Sequence, residues 1–129
     1  MPITRATDIA LRVLITLANT PDEQTTVADL ADNIGVPVRY TGKMVQRLAA
    51  DGMVETNRGR GGGIKVSPAG RAATPVEVIN AFGEGWPTID CLNPKCPLLT
   101  KGCRLRGMLN DAEAAFMSSL GTVTMAQLG

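Results

Sequence analysis

Cys91, Cys96 and Cys103 are the three cysteines of this 129-residue chain, and all fall in one stretch, CLNPKCPLLTKGC. A disulfide framework would want an even number spread along the chain. Thiols gathered on one proline- and glycine-rich loop instead converge on a metal or cluster, or act as neighbouring redox thiols. Thiolates select zinc, copper(I) or an iron-sulfur cluster, and such centres normally take a fourth ligand. The chain has no histidine, so an aspartate, a glutamate, a partner subunit or an exogenous molecule must supply it. The same absence excludes histidine-dependent catalysis, and without a CxxC pair the residues argue against a thiol-redox enzyme. A structural zinc site and a cluster-free dithiol switch stay open.

Charge singles out a second region. The formal net charge is +1, but residues 39–71 hold seven basic side chains against two acidic ones, a local surplus of five. Beyond residue 71 there are four basic and five acidic side chains. The positive charge is therefore concentrated where a polyanion can dock. Apolar runs such as IALRVLITLA are interrupted by arginine or threonine and too short to span a bilayer, and the N-terminus lacks a charged-then-apolar signal pattern. The expectation is a cytoplasmic protein, and 129 residues with 44% hydrophobic content suit one domain with a small appendage.

The elements that must position these residues read as a series of short helices. Ala10, Val13, Leu14, Leu17 and Ala18 recur at helical spacing, predicting a helix from about Thr7 to Thr20 with Thr4 or Thr7 as cap. Thr25 or Thr26 caps a second helix through Asn33, burying Val27, Leu30, Ala31 and Ile34 and ending at Gly35. Pro37 suits the first turn of a third helix from about Val38 to Ala50. Two short helices joined by a tight glycine turn read as helix-turn-helix.

The third helix has two chemically different faces. Val38, Thr41, Val45 and Leu48, with Met44 beside them, are expected to pack inward, leaving Arg39, Lys43, Gln46 and Arg47 outside. Arginine and glutamine bond bases bidentately, and a helix fits the DNA major groove. Thr26 and Tyr40 complete the candidate contacts around this helix. Gly42 lies among them at a cost of roughly 1 kcal/mol in helix propensity, which close approach to a backbone would explain. Any surface helix can carry basic residues, so this face alone does not decide the matter.

The segment after the third helix is more specific. MVET and IKV read as short strands around NRGRGGG, a hairpin with a basic, glycine-rich tip. Three helices and a basic hairpin is the winged-helix order, with Arg58 and Arg60 as contacts to the adjacent DNA backbone or minor groove. A phosphate-binding loop for nucleotides does not fit, because a strand comes next and no lysine-serine or lysine-threonine pair closes it.

Beyond the wing, TPVE is a capping box with Thr74 as cap and Glu77 reaching back, opening a helix to about Phe82 that Gly83 and Gly85 terminate. Trp86-Pro87 begins the cysteine loop. A last long helix, from near Arg104 to about Leu120, carries an apolar stripe of Leu105, Met108, Leu109, Ala112, Phe116 and Leu120 that reads as a dimer seam. Thr124 is placed to cap a short helix, MAQL, prone to fraying. The fold class expected is mainly α with a small β-hairpin: a winged helix-turn-helix over residues 1–72, then the cysteine loop and a dimerisation helix over 73–129.

TDIALR, GVPVRY, RGRGGGI, TPVEVI and the cysteine loop ending in CRLR together resemble the iron-sulfur winged-helix regulators, which include nitric-oxide-sensing NsrR-type repressors and IscR-type cluster-assembly regulators. The resemblance covers nearly the whole chain. It implies that Cys91, Cys96 and Cys103 bind a cluster, although their spacing, four then six intervening residues, departs slightly from the family's. The IscR-type histidine ligand is missing here. The NsrR-type pattern implies instead a 4Fe-4S cluster, in preference to 2Fe-2S, completed by Asp8 of the partner subunit. An aspartate there also suits a helix first turn on dipole grounds alone. Arg12, Arg104 and Arg106 would offset an anionic cluster, or are simply solvated. The function so implied is a homodimeric repressor that binds a double-stranded operator and responds to nitric oxide; sensing of iron or cluster supply is the rival.

Overall fold

The structure is a computed structural model and describes residues 3–82 and 90–129. The expected helix stops Gly83 and Gly85 and the Trp86-Pro87 loop entry lie outside the described residues.

The first helix, α1 (Arg5–Asn19), begins two residues earlier than expected, because Thr4 is the cap and accepts the Thr7 N–H at 3.1 Å. Thr7 is itself buried, its hydroxyl 3.0 Å from that of Thr4. The apolar stripe of α1 is enclosed from Ile9 to Leu17. Helices α2 (Val27–Ile34) and α3 (Val38–Ala50) pack on it and on one another. Thr26 caps α2, accepting the Asp29 N–H at 3.1 Å. Gly35 closes it in the left-handed region at φ 70°, where a Cβ is strained.

Pro37 is the N-cap of α3 rather than a residue of its first turn, and the helix spans Val38–Ala50 as expected. Its inward face is Thr41, Met44, Val45 and Leu48. Val38, expected on that face, is 53% exposed, since it occupies the first turn at the edge of the buried arc. Thr41 is fully buried without penalty, because its hydroxyl donates to the Pro37 carbonyl at 3.1 Å.

The chain then forms an antiparallel hairpin, β1 (Val54–Asn57) with β2 (Gly63–Val66), in which Val54 faces Val66 and Asn57 faces Gly63. Its inner side, Val54, Ile64 and Val66, joins the core. The hairpin is tied to the helical unit by main-chain bonds between Thr25 and Ile64, at 3.0 and 2.8 Å. Gly63 permits this, since a Cβ there would stand 2.8 Å from the Thr25 carbonyl oxygen.

The hairpin leads into a helix that the residue pattern did not predict, α4 (Pro68–Ala72), capped by Ser67 with Pro68 in its first turn. The capping box of α5 (Pro75–Phe82) is present in both directions: the Thr74 N–H donates to Glu77 at 3.2 Å and the Glu77 N–H to Thr74 at 3.3 Å. A 3-10 turn, Pro97–Lys101, lies inside the expected loop, and α6 (Arg104–Leu120) comes after it as expected. The short α7 (Met125–Leu128) is docked rather than free. Met125 is fully buried in the core, its N–H donates to the Ala73 carbonyl at 2.8 Å, and Thr124 and Gln127 form a capping box.

Among the described residues no helix is long and apolar enough to cross a membrane. Met125→Ala is expected to destabilise the fold by about 2–5 kcal/mol through the cavity it leaves; urea denaturation followed by circular dichroism checks this, and an unchanged midpoint would show that α7 contributes nothing to the core.

Candidate nucleic-acid interface and cysteine loop

The outward row of α3 is set by its period of about 100° per residue, which places Arg39, Lys43 and Gln46 opposite the buried Thr41, Met44 and Leu48. All three are exposed. Arg39 and Lys43 have no acidic partner among the described residues, and neither do Arg58 and Arg60 on the hairpin tip. Unpaired, solvated cations are available to phosphates, and each one engaged adds to the salt dependence of DNA binding. Lys65, by contrast, is paired with Glu55 across the hairpin at 3.7 Å.

The remaining candidates divide between the two flanks of α3. On the hairpin side, Thr26, Gln46 and Arg58 meet around one cleft of about 370 Å³ between α3, the start of α2 and the hairpin. Arg60 does not line it. On the other side, Tyr40, Lys43 and Arg47 border a shallow, mostly apolar hollow of about 260 Å³ against Arg5, Ala6 and Ile9 of α1. Arg47 is exposed as well, yet its guanidinium carbon lies 4.5 Å from the centre of the Phe82 ring, a cation-π contact that ties α3 to the end of α5. Sequence reasoning missed that contact, because nothing local links residues 47 and 82. The Thr25–Ile64 pairing was equally invisible, although the crowding of glycines at the end of the wing was its one signal.

The cysteine loop is built by short-range bonds. Asp90 accepts the N–H groups of Leu92 and Asn93 at 2.9 and 3.0 Å, and the Cys96 N–H donates to the Cys91 carbonyl at 2.9 Å. Cys96 precedes the 3-10 turn and Cys103 is the N-cap of α6, where Arg104 and Arg106 stand exposed in the first turn. All three thiols are free and half-buried. The amide groups opening α6 and its two arginines make the surroundings of Cys103 positive, a setting that favours anionic ligands.

Asp8 lies in the first turn of α1. Arg12 holds it in a two-point pair at 2.9 and 3.1 Å, and Arg5 approaches at 3.7 Å. Arg12 also donates to the Ile34 carbonyl at the end of α2, at 3.1 Å. Among the described residues no three of the thiols and carboxylates converge within one chain on a point that could hold a metal ion. The four expected ligands are thus brought to the surface of two separate elements, not assembled into one site.

A helix-turn-helix unit with a basic hairpin after its third helix defines a winged-helix DNA-binding protein. The chain belongs to the Rrf2 family, described as iron-dependent transcriptional regulators, which it matches over residues 3–129. It is 37% identical to the HTH-type transcriptional repressor NsrR of Streptomyces coelicolor, over 99% of this chain and 88% of that protein. It is 31% identical to the HTH-type transcriptional regulator NsrR of Bacillus subtilis, over 99% of this chain and 90% of that one. Among solved structures, CymR, the global cysteine regulator of B. subtilis, superposes with a TM-score of 0.78 at 21% identity, covering 100% of this chain and 98% of that one. T. potens IscR superposes with a TM-score of 0.76 at 16% identity, covering 98% and 84%. The chain is accordingly a transcriptional regulator and not an enzyme, and the structural neighbours share its winged-helix fold.

Two substitutions separate the roles assigned to the arginines. Arg58→Ala is expected to weaken binding to all duplex DNA and to lower the slope of log affinity against log salt by about 0.9; an unchanged slope in a fluorescence-anisotropy titration would remove the hairpin tip from the interface. Arg47→Ala is expected to destabilise the fold by about 0.5–1 kcal/mol through its lost contact with Phe82, read as a lower thermal midpoint, and an unaltered midpoint would show that contact to be inert.

Proposed function

We propose that this regulator is a homodimeric, cytoplasmic repressor of the NsrR type, whose grip on a double-stranded operator depends on an iron-sulfur cluster and is released by nitric oxide. The observation that carries the reading is the confinement of three free, half-buried thiols to the loop entering α6, in a chain 37% identical to an NsrR repressor. The donor chemistry fits such a group: three soft thiolates, a positive local field at Cys103 and a carboxylate, Asp8, which the resemblance to NsrR-type repressors assigns to the second subunit. Cys91, Cys96 and Cys103 would hold it together with Asp8 of the partner, as 4Fe-4S in preference to 2Fe-2S. When bound, it supplies iron atoms open to small reactants, nitric oxide among them.

The chain's own residues do the rest. Helix α6 buries none of its side chains in the single chain, and Leu105 and Met108 are 58% and 65% exposed. Such a face suits a second copy, and two-fold pairing matches the symmetric sites that helix-turn-helix dimers bind. On this reading residues 1–72 bind DNA, with Thr26, Arg39, Tyr40, Lys43, Gln46, Arg47, Arg58 and Arg60 as the contact set, and residues 73–129 carry the ligand loop and the dimer helix. Asp8 sits on α1, and α1 packs directly on α3. Committing the carboxylate to the partner's thiols therefore fixes the spacing of the two α3 helices, and freeing it loosens that spacing. A change of about 3 kcal/mol between the two states already alters operator affinity more than a hundredfold.

Anaerobic purification with iron, sulfide and zinc analysis, wild type against Asp8→Ala, tests the ligand set: a brown protein with equal iron and sulfide, altered or bleached in the variant, is expected. A colourless, zinc-loaded or metal-free protein after attempted reconstitution would end the cluster reading. Operator affinity of the loaded protein is expected to fall on addition of nitric oxide; if it does not, the family's iron-dependent character favours sensing of iron or cluster supply instead. The double variant Leu105→Glu, Met108→Glu is expected to sediment as a monomer, and an intact dimer would place the seam elsewhere.

A further inference from the structure

Helix α3 carries a glycine that its own packing does not require. Gly42 has an ordinary helical φ, not the positive value that favours glycine elsewhere in the chain. A Cβ built on it would meet only Val27 Cγ1, at 3.7 Å, which is normal van der Waals contact. Gly70 differs, since a Cβ there would run into the Met53 carbonyl oxygen. Alanine thus fits at position 42 within the chain and would be a better helix former, because glycine is among the least favourable residues in a helix interior. Intramolecular packing leaves this residue unexplained.

Its surroundings point outward. Gly42 is one helical turn from both Arg39 and Gln46, and it lines the cleft between α3 and the hairpin. The inner wall of that cleft is the apolar edge of Val45 and Ile64, and its rim holds Thr26, Gln46, Asn57 and the unpaired cation Arg58. Apolar depth beneath a polar, positively charged rim is complementary to a deoxyribose with its flanking phosphates. Much of a protein's hold on DNA consists of such strand contacts, which set register without reading sequence.

With α3 in the major groove and the hairpin on the adjacent backbone, one DNA strand passes this cleft; we propose that Gly42 is the gap in α3 that lets that strand reach the helix main chain, with its sugar against Val45 and Ile64 and its phosphate at Arg58. The cleft then sets how deeply α3 enters the major groove, so Gly42 is a positioning residue for every base contact made from Arg39 and Gln46. The assignment rests on DNA binding alone and is independent of the cluster and of nitric oxide.

The test uses the full chain, purified anaerobically, as wild type and Gly42→Ala. Thermal midpoints are measured together with affinities for two duplexes, one selected by the wild type from a random-sequence pool and one unrelated. The variant is expected to melt roughly 2–6 °C higher and to bind both duplexes roughly tenfold or more weakly, as an overpacked contact does. Unchanged affinity for both duplexes would overturn the proposal. So would a lower midpoint, which would mean that a Cβ does not fit, or a loss confined to the selected duplex, which would put a base edge and not the strand at Gly42. A wild type that binds neither duplex would instead overturn the DNA-binding reading itself, and the cleft's role with it.

Discussion

The enclosed face of α1 is the constraint on which the rest of the structure depends. Ala10, Val13 and Leu14 are fully buried, and α2, α3, α5, α7 and β2 all rest against this one helix. Burying a valine or leucine side chain stabilises a fold by about 1.5–3 kcal/mol, so the stripe from Ile9 to Leu17 supplies much of the reason for this chain to fold at all. The same helix carries Asp8 and Arg12 on its solvent side. A pull on Asp8 is therefore a pull on the element that seats α3, and Arg12 extends the link by bonding the last carbonyl of α2.

A second level of organisation is set by main-chain pairing. The two hydrogen bonds between Thr25 and Ile64 join the residue before the α2 cap to the returning strand of the hairpin. They fix the hairpin beside α3 and so create the cleft in which Thr26, Gln46 and Arg58 meet. Without that pairing the wing would be a two-stranded ribbon, marginal by itself in water. The arginines at its tip depend on a bond made by residues far away in the chain.

Electrostatics divides the surface in the same way. Arg39, Lys43, Arg58 and Arg60 are left without acidic partners among the described residues, whereas Arg12 and Lys65 are paired. Unpaired like charges on one side of a small domain repel one another, and their persistence is natural where a polyanion relieves the repulsion. Arg47 shows a second use of a cation, its exposed guanidinium stacked on the Phe82 ring. Identical side chains two turns apart on one helix thus have different neighbours.

The order of helices, the helix-turn-helix, the hairpin and the capping box at Thr74 and Glu77 were legible in the residues, because each rests on short-range patterns: apolar periods, caps and turn-forming glycines. The thiol loop was legible by residue type and spacing alone. Other features were not: α4 lacks an apolar period, α7 is too short to hold by propensity and stands only because Met125 is swallowed by the core. The exposure of Val38, the turning of Arg47 onto Phe82 and the meeting of Thr25 with Ile64 likewise depend on how distant segments pack. The sequence by itself determined which residues can bond phosphate or metal and which local elements carry them, since those are properties of side chains and neighbours. Only the tertiary structure decided which of those residues share a cleft and which stack on another element, because those outcomes depend on contacts between residues remote in the chain.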